Sequence, residues 1–337
     1  MNPAAALAYA ERHTLHALLI EVDGAVIFEQ YANGHDAGKP HALYSGTKSF
    51  WGVVAAAASD DGLLALDEPV ADTIAEWRAD DRKSRVTLRQ LLNLTSGFGF
   101  GGLGAAVPPY AKALALELRN EPGATFTYGG IPLQVFGAVL ARKLAATAQT
   151  PHDYLRTRLL DPLGIAVASW RTLADGTQPL PTGAYLAARD WLKYGQFLAR
   201  SGADLLKPSS FSEVVRGSDV NPRYGLGIWL YDAPGGERVF YASGAGGQGL
   251  YVIPEHDIVV VRFGGSASYK HDAFLARLFG EPAAKAPARA PRTRRRKAVA
   301  RSEEPPAEQS TAEAPPVEEP PAEEPPAEEP QAEPDAL

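Results

Sequence analysis

The chain contains no cysteine at all. Disulfides, thiolate metal sites and a cysteine nucleophile are therefore excluded, and a reducing compartment is a natural setting. No apolar run approaches the length of a membrane span. The start, "MNPAAALAYAERHTLHALLIEV", has no basic opening, and "ERH" interrupts any apolar core before a cleavage site. The expectation from these features is a soluble, cytoplasmic protein that neither crosses nor binds a membrane. Seven histidines are scattered without a His-x-x-x-His pair, so no metal site is expected. A Gly-x-Ser-x-Gly elbow is also missing, which argues against an α/β-hydrolase.

What is present is more telling. The 337 residues are 45% hydrophobic, enough for one large domain or two intimate ones. Net charge is −7, but its distribution matters more than its sum. From Pro282 the composition turns to Ala, Pro, Glu and Arg, first basic in "RTRRRK" and then acidic in "EEPPAEEPPAEEP". Such a segment has almost nothing apolar to bury, so residues 282–337 are expected to form a disordered tail. The basic run followed by an acidic one reads as a polyampholyte rather than a nucleic-acid site, and the tail's partners stay unknown.

Two glycine spacings resemble a dinucleotide-binding loop, Gly99-x-Gly101-x-x-Gly104 and Gly244-x-Gly246-x-x-Gly249. That loop must join a strand to a helix. The first copy instead follows a helical pattern, Leu88, Leu91, Leu92 and Thr95, and runs into a proline-bearing loop. The second is followed by two β-branched runs around "PEHD", which read as a hairpin. Neither joins strand to helix, and no nucleotide or other cofactor is expected.

Along the chain, a hairpin turns through Asp23-Gly24, and an alanine-rich helix covers Thr47 to Ser59. Several glycine-stopped helices follow, then three or four strands from Arg223, and a closing helix in "HDAFLARLFG". Strands at both ends with helices between suggest one sheet built from both chain ends. The expected division is 1–75 with 216–281 as the sheet domain and 76–215 as a helical domain.

The tetrad "SGTK" is the first candidate site. Ser45 and Lys48, three residues apart at a helix start, share one face. The helix N-terminus favours an alkoxide and an oxyanion, and Gly46 leaves the entry open. A serine hydroxyl needs an adjacent base, and lysine serves as one only if burial or a neighbouring cation lowers its pKa. Alone, the tetrad reads better as an N-capping serine with a solvated lysine than as a catalytic pair.

Its surroundings go further. "YSGTKSFWGVVAAAASDDGLLALDEPV", "TLRQLLNLTSGF", "PGATFTYGGIPLQVFGAVLARKL", "NPRYGLGIWL" and "GAGGQGLYVIPEHDIVVV" occur in this order. Together they resemble the serine β-lactamase and penicillin-binding-protein superfamily, in its class C and esterase-like branch, from about Leu15 to Phe279. The resemblance implies an α/β (α+β) fold, an antiparallel sheet flanked by helices with an inserted, mostly helical domain. It implies a serine hydrolase in which Ser45 forms an acyl-enzyme, with Lys48 and Tyr128 relaying the proton. The backbone N–H groups of Ser45 and Ala245 would hold the oxyanion. Gly130, Ala242, Ser243 and Gly244 would line the substrate, the glycines keeping the strand edge open, and Gln248 would either line the pocket with them or serve a structural role. The pattern departs from relatives at two places. Gly130 replaces an asparagine after the tyrosine, and Ala242 replaces a lysine or histidine on the wall strand. Both departures favour a small ester or amide substrate over a β-lactam or a D-Ala-D-Ala peptide. Two other readings stay open, a catalytically silent binding or sensor protein and a peptidase or β-lactamase after all.

Overall fold

The computed structural model describes residues 2–280; the expected tail, 282–337, lies outside the described residues. Six antiparallel strands form the main sheet. They are β1 (Leu15–Val22), β2 (Ala25–Tyr31), β6 (Trp229–Asp232), β7 (Arg238–Gly244), β8 (Gln248–Ile253) and β9 (Ile258–Gly264), in the order β2-β1-β9-β8-β7-β6. The first and last strands of the described chain thus meet, β1 pairing with β9. The β1–β2 turn is the two-residue Asp23-Gly24 connection, Val22 opposite Ala25.

Strand β9 shows why the sheet forms where it does. In Ile258–Gly264 every residue is buried, so both faces must be covered, as its unbroken "IVVVRF" run implies. Val259, Val261 and Phe263 face a core shared with the helices Ser49–Asp60, Ile131–Lys143 and Ala188–Ala199. Ile258 and Val260 face a smaller core closed by the helices Pro3–Glu11 and His271–Leu278. The result is a sheet between two helical layers.

The helix Ser49–Asp60 is buried at ten consecutive positions, Ser49 to Ala58. A helix apolar on all sides belongs inside a fold, and its alanines keep it thin enough to be surrounded. A second, three-stranded sheet lies beside its start, with β3 (His41–Ala42), β4 (Val167–Trp170) and β5 (Ala184–Leu186) in the order β3-β5-β4. Sequence periodicity misses this sheet because its strands are two to four residues long. By periodicity "AYLAARDWLKYGQFLARSG" reads as one helix, whereas its first three residues form β5 and the helix begins only at Ala188.

Candidate active site

The chain reaches Ser45 through β3. Leu43 N–H still bonds the Ala184 carbonyl at 2.9 Å, and then the backbone breaks direction. Tyr44 takes the left-handed conformation, φ 46°, which costs a residue with a Cβ roughly 1–2 kcal/mol. Residues Tyr44–Lys48 follow as a short 3-10 helix, which feeds the longer α-helix from Ser49. The tetrad is therefore one tight turn ahead of the α-helix rather than its first turn. The tighter winding stacks side chains three apart directly above one another, and this aligns Ser45 with Lys48.

Lys48 Nζ lies 2.8 Å from Ser45 Oγ and 3.3 Å from the Pro181 carbonyl. The lysine is 1% exposed, and no acidic group among the described residues forms an ion pair with it. Burial without a counter-charge lowers its pKa from the usual 10.5 to about 7. Nζ also stands 4.9 Å from the centre of the Tyr128 ring. Tyr128 itself is half-buried and stacks on Trp229 at 5.8 Å. Ser45, Lys48 and Tyr128 thus come together from two segments 80 residues apart.

The second glycine stretch sits on the other side of the serine turn. A Cβ on Gly244 would fall 2.1 Å from the Leu43 carbonyl oxygen, so only glycine allows β7 to approach so closely. Strand β7 pairs with β8 through Gly244 but with β6 only as far as Tyr241. Ala242–Gly244 therefore overhang β6 and leave one backbone edge without a strand partner among the described residues. The exposed Ala245 opens the turn beyond. Neither its N–H nor that of Ser45 donates to a described residue, which suits two donors aimed at a developing oxyanion.

The first glycine stretch packs against the tyrosine loop. Gly101 and Gly129 form an isolated parallel bridge, and Gly130 N–H bonds the Gly101 carbonyl at 2.9 Å. One stretch thus packs against the serine turn and the other against the tyrosine loop. Gly46 has a different role from an open entry. It is buried, and a Cβ there would lie 3.0 Å from the Trp191 indole.

The remaining sequence candidates are placed as follows. Ala242 is 2% exposed, its methyl packed into the larger core. Gln248 is fully buried, and its side-chain NH2 bonds the Ala245 and Gly264 carbonyls at 2.8 and 2.7 Å. Its Oε1 accepts from Gly264 N–H at 2.9 Å. As placed, Gln248 ties the Ala245 turn to β9 instead of offering its amide to a substrate. Ser243 Oγ lies 2.9 Å from His271 Nε2.

That last contact opens a buried polar chain that sequence reasoning missed. His271 Nδ1 meets Tyr251 Oη at 2.7 Å, and Tyr251 meets Tyr269 at 2.9 Å. The Arg262 guanidinium lies over the Tyr269 ring at 3.9 Å and bonds the Gly247 and His13 carbonyls. Burial, with Arg262 and Lys270 adding to it, pushes His271 down to about 3, so the ring is neutral. Only the pairing of β7, β8 and β9 with the last helix brings these residues together. The one signal in the sequence is Arg262 inside an apolar strand, since a buried arginine requires partners.

A sequence profile of the Beta-lactamase family matches residues 10–312. The chain belongs to the beta-lactamase family. Solved structures agree in fold. A Bacillus anthracis protein provisionally assigned as a 6-aminohexanoate-dimer hydrolase aligns with TM-score 0.68 at 17% identity, over 80% of this chain and 79% of that one. A D-stereospecific amidohydrolase from Streptomyces aligns at 0.66 and 18%, over 83% and 99%. A class C beta-lactamase from Rhodobacter sphaeroides aligns at 0.62 and 15%, over 82% and 97%. At such identities the likeness is one of fold. No curated protein sequence matches the chain. No helix among the described residues of this beta-lactamase-family chain is long and apolar enough to cross a membrane.

Proposed function

We propose that this protein is a serine hydrolase that cleaves a small ester or amide through an acyl-enzyme on Ser45. The observation that carries this reading is the 2.8 Å contact between Lys48 Nζ and Ser45 Oγ, made by a lysine that burial holds near pKa 7. A solvated lysine beside an N-capping serine would have neither the burial nor the lowered pKa. With its pKa lowered this far, Lys48 is available as the neutral amine near neutral pH and can take the serine proton.

In the proposed sequence, Ser45 Oγ attacks the carbonyl carbon as its proton passes to Lys48. The oxyanion is held by the N–H groups of Ser45 and Ala245. Its collapse breaks the bond to the alcohol or amine, which leaves with the proton returned from Lys48, Tyr128 lying alongside as the second relay group. Water then repeats the steps on the acyl group and frees Ser45. No cofactor takes part in any step.

The substrate preference rests on what two positions lack, Gly130 having no side chain and the Ala242 methyl being packed into the core. Neither supplies an amide or a cation for a substrate carboxylate, and a carboxylate desolvated without a partner is costly. Small uncharged esters and amides suit such a cleft better than β-lactams or D-Ala-D-Ala peptides. The test is hydrolysis of p-nitrophenyl acetate by wild type and Ser45→Ala, compared at equal folded concentration. A loss of at least about a thousandfold is expected for a residue that forms the covalent intermediate. A variant that keeps most of the rate overturns the assignment.

A further inference from the structure

Three histidines converge outside the serine site. His16 on β1, His35 in the loop after β2 and His41 on β3 are each half-buried. One ring nitrogen from each lies within 4.8 Å of the other two. The shortest approach is His16 Nδ1 to His41 Nε2, at 2.9 Å. The rings are held in place. His16 and His35 stack with centroids 4.1 Å apart, and His41 stacks on Phe263 at 4.9 Å.

The orientation of His41 is the decisive detail. Its Nδ1 lies 2.9 Å from the Ala42 carbonyl oxygen, so Nδ1 carries the proton and donates. Nε2 then presents its lone pair to the other two rings. Metal-binding histidines are held in this way, one ring nitrogen on a backbone carbonyl and the other aimed at the ion. Burial keeps the rings neutral, lowering His16 and His41 to about 4. Lys39 also lowers all three, Arg262 lowers His16 and His41, and Asp36 opposes this at His35 alone. A neutral imidazole is the form that binds a metal.

We propose that His16, His35 and His41 form a binding site for one divalent transition cation of the zinc, cobalt or nickel class. With His41 Nε2 as acceptor, the proton in the 2.9 Å contact belongs to His16 Nδ1. The cation takes the place of that proton, which moves to His16 Nε2, so none is released. Metal–nitrogen bonds of about 2.0–2.1 Å put tetrahedral ligands about 3.3 Å apart. The His16–His41 pair is already within that spacing. The widest pair, at no more than 4.8 Å, has at most about 1.5 Å to close on binding. An all-imidazole donor set disfavours magnesium and calcium, which require oxygen ligands. The site is independent of the serine chemistry, although His41 stands only four residues before Ser45.

The test is isothermal titration of untagged, full-length protein with zinc and with magnesium, backed by the visible spectrum of added cobalt. The expected result is one zinc site of micromolar or tighter affinity and no magnesium binding. His16→Ala and His35→Ala should each weaken zinc at least about tenfold. His256→Ala, which changes an exposed histidine paired with Glu237, should leave zinc binding unchanged. Because the chain has no cysteine, an intense cobalt band must come from nitrogen and oxygen ligands. His35→Gln, a loop substitution that keeps a polar side chain, serves if His16→Ala misfolds. Absence of zinc binding in wild type overturns the site, as does affinity unchanged by loss of His35.

Discussion

A Cβ on Gly130 would lie 1.9 Å from the carbonyl oxygen of Gly102 and 3.0 Å from Pro181 Cγ. The glycine that stands where the family resemblance implies an asparagine is therefore built into the backbone of the tyrosine loop. Gly130→Asn should fail to create a β-lactam site. It should instead lower stability by about 3 kcal/mol through overpacking against backbone. Thermal unfolding of the variant measures this, and an unchanged melting temperature would show that the loop can move aside.

Lys48 should act against the stability of the fold. Its free value of 10.5 falls to about 7 on burial, so the unfolded chain binds more protons between those two values. Stability then rises as pH climbs through that window, and below about pH 7 the full cost of burying the ammonium remains, on the order of 5 kcal/mol. Lys48→Met removes that cost while keeping the shape. Its melting temperature at pH 6 should exceed that of wild type by several degrees, and hydrolysis should be nearly abolished. A less stable variant would contradict the buried-amine account.

The same group sets the pH dependence of the reaction. Catalysis needs the neutral amine, so kcat/KM should rise about tenfold per pH unit below about 7 and level off above it. The limb should disappear in Lys48→Met, whatever activity is left. A wild-type profile that stays flat from pH 5.5 to 8.5 would remove Lys48 from the role of base.

Gln248 offers a test of how the Ala245 turn is held. Gln248→Leu leaves the buried Gly264 N–H and carbonyl without their side-chain partner, at about 1–3 kcal/mol for each group, and frees the Ala245 carbonyl. Both melting temperature and kcat should fall, with KM changing less, because the loosened donor is needed most in the transition state. A stable variant with normal kcat would show that the turn holds itself.

Much of this fold is legible in the sequence, and the reasons differ by element. The "IVVVRF" run and the Asp23-Gly24 turn carry local signals, so the β8–β9 and β1–β2 hairpins can be read directly. The alanine-rich helix is similarly clear, although it starts at Ser49 instead of Thr47. The strands β3 and β5 are too short for any periodicity and exist through pairing alone. In the candidate site, Ser45, Lys48 and Tyr128 come from the ordered motifs, and the structure brings all three together. Side-chain direction is less accessible. Nothing local says that Ala242 turns into the core or that Gln248 is wholly engaged by backbone, since both depend on the register of β7 and β8. The histidines are the clearest case, because scattered positions 16, 35 and 41 meet only after β1, β2 and β3 have folded.

The claim that Ser45 is the nucleophile has one most direct measurement. Intact wild type and Ser45→Ala are treated with a fluorophosphonate, weighed by mass spectrometry, and digested to locate the adduct. One adduct per chain on Ser45, formed faster as pH rises through about 7 and absent from Ser45→Ala, is the predicted result. A chain that remains unlabelled, or that carries its adduct on another serine, would contradict the account.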